Sequence, residues 1–108
     1  MDKREAVRVP VRVHARCRLD TGVVVDGLVE DVSRSGIFFA VEKDHGRLAC
    51  GSQTFLALEI PGNEPLQLEA EVVRVQRSGV GLRFVDTTEI ARRPLANFIM
   101  KQAAMRVS

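Results

Sequence analysis

Two clusters of side chains in this 108-residue chain are equipped for chemistry. Near the N-terminus, Arg4 and Arg8 stand four apart. A guanidinium is a rigid, planar, permanently charged fork, suited to gripping a phosphate or a guanine edge through paired hydrogen bonds. Further along, Asp31-Val32-Ser33-Arg34-Ser35-Gly36 brings a carboxylate, a hydroxyl and a glycine into one short corner. The two signals differ in weight. Arginine is common enough here that a spacing of four should arise roughly once or twice by chance, and Arg8/Arg12 and Arg12/Arg16 repeat it. The DxSxxG pattern should arise only about 0.03 times in a chain of this composition, so it requires a reason.

Charge placement points the same way. The chain has 16 Lys plus Arg against 14 Asp plus Glu, a net charge of +2, too small for a general nucleic-acid coat. The positive charge is concentrated at the start, where Lys3, Arg4, Arg8, Arg12, Arg16 and Arg18 face only Asp2 and Glu5. That imbalance suggests an anionic ligand. His14 and His45 lack partners at metal-ligand spacing, and no nucleophile–base–acid set or Gly-rich phosphate loop can be assembled, so neither a metal nor catalysis is expected. Cys17 and Cys50 form no CxxC pair and read as reduced thiols, Cys17 in phase with buried positions. No apolar run is long enough to span a bilayer and no signal-peptide core follows Met1, so a cytoplasmic protein without membrane insertion is expected.

The elements that must hold these residues are mostly strands. Sixteen residues are Val, and Trp and Tyr are absent. Across Val9–Leu19 the odd positions are apolar and the even ones carry Pro10, Arg12, His14, Arg16 and Arg18, a strand with one wet face. Thr21 and Gly22 turn the chain into a second run over residues 23–32. After the DxSxxG corner come a buried strand at 37–41, a long connection at 42–51, and a strand at 55–60 with Leu56, Leu58 and Ile60 in phase. Pro61-Gly62-Asn63 marks a turn. Leu66, Leu68, Ala70 and Val72 alternate, but Val73 and Val75 continue in the opposite phase, so a bulge is expected near Val72-Val73. Ser78-Gly79 then leads into a last strand bearing Val80, Leu82 and Phe84. Phe38, Phe55, Phe84 and Phe98 are expected to pack. Pro94 suits a first helical position, with Leu95, Phe98, Ile99 and Met105 on one stripe. Six strands without intervening helices imply an all-β fold, an antiparallel sheet closed or nearly closed into a barrel, with a C-terminal helix packed against it.

The two motifs, in this order and ahead of and between the first strands, resemble those of the PilZ domain, a bacterial receptor module for cyclic di-GMP. The resemblance extends to Gly79-Val80-Gly81-Leu82-Arg83-Phe84 and to a closing helix with Leu95 and Phe98-Ile99. It implies one six-stranded antiparallel PilZ-type β-barrel domain over 1–108, with a flexible ligand-binding segment at 1–8, the barrel at 9–86 and the helix at 88–105. It also implies that cyclic di-GMP lies on the barrel's outer surface, bound by Arg4, Arg8, Asp31, Ser33 and Gly36, with Lys3 and Arg12 as further contacts.

These residue types fit such a ligand. Arg4 and Arg8 can hold phosphate or stack on guanine, while the Asp31 carboxylate accepts from guanine N–H groups and would repel a bare phosphate. Ser33 offers its hydroxyl to the ligand or to the turn backbone. Gly36 permits a close backbone approach or a positive φ. The function implied is a non-catalytic effector whose Arg segment changes conformation on binding and which regulates a separate partner protein. The alternatives are a PilZ-fold interaction adaptor without cyclic di-GMP affinity, and an OB-like barrel for single-stranded nucleic acid. The latter would want exposed aromatics, so no DNA or RNA is expected.

Overall fold

Alternation along Val9–Leu19 builds β1, with Val9, Val13, Ala15, Cys17 and Leu19 buried and the even positions exposed. The computed structural model describes residues 8–41, 48–62, 64–85 and 89–107. A turn with Gly22 at a φ of 96° leads into β2, Val24–Val32, followed by β3, Gly36–Ala40, and β4, Gln53–Leu58. The sheet continues with β5, Leu66–Gln76, and β6, Gly79–Phe84, and the chain ends in α1, Glu89–Val107. All neighbouring strands are antiparallel, in the order β1-β2-β3-β6-β5-β4, and β4 pairs back onto β1 to close the barrel. This is the six-stranded barrel plus helix expected from the strand pattern.

The barrel interior is filled by one residue in two from every strand, among them Val29, Ile37, Phe39, Leu56, Leu58, Val72 and Val80, all fully buried. Each such side chain contributes about 1.5–3 kcal/mol on leaving water, so the barrel wall is rigid enough to hold outward-facing groups in register. Three register shifts interrupt the pairing: Pro10/Val13 in β1–β2, Val29/Asp31 in β2–β3, and Val72/Arg74 in β5–β6. The last is the bulge expected near Val72-Val73. It does not carry Val73 and Val75 into the core, because both stay exposed, at 49% and 42%, on the part of β5 beyond its pairing with β4.

The helix packs against β1 and β5 through Ala91, Leu95 and Phe98. Three expectations are corrected here. Pro94 lies inside α1 rather than at its first position, because the helix begins at Glu89 and tolerates the missing N–H in its second turn. Met105 is 68% exposed: the helical period is right, but no described residue of α1 beyond Phe98 is buried. A third concerns Phe55, which is 37% exposed on the outer wall, with the Arg18 guanidinium 4.8 Å from its ring centroid.

Candidate ligand-binding face

The site is built where β1 begins and β2 ends. Arg8 immediately precedes β1, and Asp31 lies beside the start of that strand, opposite Pro10 in register. Asp31 precedes the inward-facing Val32, so its carboxylate is on the outer wall. There Arg8 Nε donates to Asp31 Oδ1 at 2.8 Å and Arg8 Nη2 lies 2.6 Å from the same oxygen. Both nitrogens converge on one oxygen, so this pair does not use the second. The side chains are 42% and 31% exposed, accessible to a ligand yet held in place by a charge-assisted contact. The structure thus joins the two sequence motifs through one member of each.

Ser33 is fully buried. Its Oγ accepts from the backbone N–H of Ser35 at 3.1 Å and of Gly36 at 3.2 Å, and lies 3.1 Å from Ser35 Oγ. Ser33 N–H donates to the Gly36 carbonyl at 2.9 Å. Of its two possible partners, ligand or turn backbone, the hydroxyl here engages the backbone, and it shapes the corner that follows Asp31. Gly36 does not have a positive φ. A Cβ on it would sit 2.1 Å from the Leu82 carbonyl oxygen, so glycine is required by the approach of β6. Phe84 N–H donates to the Ser35 carbonyl at 2.8 Å, tying the corner to the same strand.

Arg12 lies on the exposed face of β1 and borders a shallow groove with Gln102 and Met105 of α1. Arg4 and Lys3 lie outside the described residues, as does all of the segment expected to be flexible except Arg8. Arg16 is committed elsewhere: its Nε donates to Asp26 at 2.9 Å, and that contact raises its pKa. Cys17 and Cys50 are both free. Burial pushes the Cys17 thiol above its ordinary range, with a hydrogen bond to Thr54 opposing the shift. No cluster of metal-ligating side chains occurs among the described residues, and none of their helices is long and apolar enough to cross a membrane.

Sequence reasoning did not find the remainder of this outer wall. Following the register from strand to strand, Pro10 faces Asp31, Asp31 faces Phe38, Phe38 faces Gly81, and Gly81 faces Arg74. The adjacent row sets Gly36 beside Arg83, whose Nη2 donates to Glu71 at 2.8 Å. The three register shifts fall along this same belt. The hairpin at Ser78-Gly79 was the available signal, since counting back from it through Gln76 and Val75 sets Arg74 opposite Gly81 before the bulge is reached.

The PilZ domain family matches residues 2–101. The chain belongs to the PilZ family. Members of this family are non-catalytic receptor and effector modules. Solved structures share the fold at low identity. The PilZ domain with c-di-GMP of YcgR from Escherichia coli superposes with a TM-score of 0.83 at 12% identity, over 97% of this chain and 95% of that one. The PilZ domain of CeSA from a cellulose-synthesizing bacterium gives 0.73 at 17% identity, over 87% and 95%. The Bacillus subtilis inhibitor of motility MotI/DgrA gives 0.76 at 15%, over 96% of this chain but only 52% of the longer protein. Among curated protein sequences, no significant match occurs.

Proposed function

We propose that this PilZ domain is a cytoplasmic, non-catalytic receptor for cyclic di-GMP. Arg4 and Arg8 grip its phosphates and stack on guanine, while Asp31 accepts from a guanine edge. Ser33 and Gly36 hold the corner that aims Asp31, and Lys3 and Arg12 extend the positive patch. On binding, the segment 3–8 folds over the ligand, and the altered surface changes the contacts of a separate partner protein. Ordering that segment costs about 1–2 kcal/mol for each residue newly fixed, which charge-assisted arginine contacts of about 1.5–3 kcal/mol each can offset.

The observation that carries this reading is the meeting of Arg8 with Asp31 on an exposed stretch of barrel wall. The printed description of the similar YcgR domain names c-di-GMP as its ligand, which supports the same assignment. DNA and RNA are not expected partners, because the exposed Phe55 is already stacked on Arg18 and no Tyr or Trp exists to extend a base-stacking platform. A second reading, an adaptor without nucleotide affinity, is favoured only by the fact that Arg8 and Asp31 already satisfy each other. Isothermal titration separates the two. Saturable binding of cyclic di-GMP that collapses in Arg8→Ala and Asp31→Ala is expected, and a silent wild type would leave the adaptor.

A further inference from the structure

The outer wall holds an arginine that neither motif contains. Arg74 follows the β5 bulge and pairs in register with Gly81. Gly81 lies between Val80 and Leu82, both buried, so the direction a side chain would take from it is outward. Arg74 occupies that space: its Cβ, Nη2 and Nε lie 3.5, 3.6 and 3.7 Å from where a Gly81 Cβ would stand. Arg74 is exposed, and among the described residues its guanidinium makes no hydrogen bond or ion pair. Arg83 in the adjacent row is instead held by Glu71.

Between Arg74 and the Arg8–Asp31 pair lies Phe38. It projects outward from between the fully buried Ile37 and Phe39, yet is only 9% exposed. The belt therefore reads, across four strands, carboxylate, covered aromatic, glycine seat, uncommitted guanidinium. With strands about 4.8 Å apart, Asp31 and Arg74 are separated by about 14 Å along the curved wall. A ligand with two guanines and two phosphates presents equivalent groups at both ends, and Arg8 with Asp31 addresses one of them.

Resting on the receptor reading above, we propose that Arg74 is a ligand-gripping residue that engages the end of cyclic di-GMP remote from Arg8, where it holds a phosphate or lies flat on the second guanine. The bulge at Val72/Arg74 is what turns its side chain onto this wall, and Gly81 is what leaves room for it to lie there.

The test is titration of cyclic di-GMP into wild type, Arg74→Ala, Arg74→Lys and Arg77→Ala, with thermal melting as the check on folding. Arg77 is an exposed arginine at the tip of the same hairpin and controls for bulk charge. Arg74→Ala is expected to weaken binding about tenfold to a hundredfold, the loss of one charge-assisted contact. Arg74→Lys should recover part of that loss and Arg77→Ala should bind like wild type. Equal affinity in Arg74→Ala and wild type overturns the inference while leaving the receptor reading intact, and so does an equal loss in Arg77→Ala. A wild type that does not bind removes the receptor reading and this inference together.

Discussion

Gly36→Ala is the sharpest structural perturbation of the corner. The added methyl would stand 2.1 Å from the Leu82 carbonyl oxygen, 3.1 Å from the Leu82 carbonyl carbon and 3.2 Å from the Arg83 Cα. All three are backbone atoms, so no rotamer change relieves the overlap. An ordinary carbon–oxygen contact is about 3.4 Å, so β3 and β6 must separate locally by about 1 Å. That movement strains the pairing of Gly36 with Arg83 and the 2.8 Å hydrogen bond from Phe84 N–H to the Ser35 carbonyl. Losing one or two such bonds at about 1 kcal/mol each, plus overpacking strain of about 1–3 kcal/mol, gives a destabilisation of about 2–5 kcal/mol. In a domain of this size that corresponds to a fall in Tm of about 10–25 °C. Thermal unfolding followed by circular dichroism measures it. A variant melting within about 2 °C of wild type would refute the claim that Gly36 is glycine because of β6.

Two further predictions concern stability. The Arg8–Asp31 pair is partly solvated, so a double-mutant cycle in urea should give a coupling below about 1 kcal/mol, and a value above about 2 kcal/mol would mean a structural clamp instead. Burial raises the Cys17 pKa above its ordinary value of 9.0, so the unfolded chain loses this proton before the folded one does. The associated stability is present below that value and declines as pH rises past it. Cys17→Val should flatten the decline, and in the native protein iodoacetamide should label the exposed Cys50 well before Cys17; an unchanged slope or equal labelling would contradict this.

Strand existence was legible wherever one face is wet. β1 matches its alternation at every position but Val11, which is half-buried at the register shift between Pro10 and Val13, because a period of two with arginines on the even positions has only one register that buries valine. The same alternation also reveals Phe55, which is out of phase with Leu56 and Leu58. Reading it as packed followed residue type where phase was the better guide. Val73 and Val75 show the converse: a bulge can be inferred from a phase change, but whether core remains to receive the next valine depends on where the barrel ends. The closing pairs, β3 with β6 and β4 with β1, join strands distant in sequence, so the rows they create across the wall were hidden.

The geometry of the candidate site was only partly legible. Arg8 and Asp31 were paired by motif and meet in space. Ser33 and Gly36 carried two readings each, and the choice between them rests on the Ser33 turn bonds and the Leu82 carbonyl, neither of which a linear sequence contains. Pro94 misled because the preference for a first helical position is statistical, and a second-turn proline forfeits only one backbone hydrogen bond.

Backbone amide chemical shifts recorded during titration with cyclic di-GMP test the central claim most directly, since they report both whether the ligand binds and where. The largest changes are predicted at Arg8 and across Asp31, Ser33 and Gly36. No change at saturating ligand, or changes confined to the groove between α1 and the barrel around Gln102 and Met105, would contradict the account.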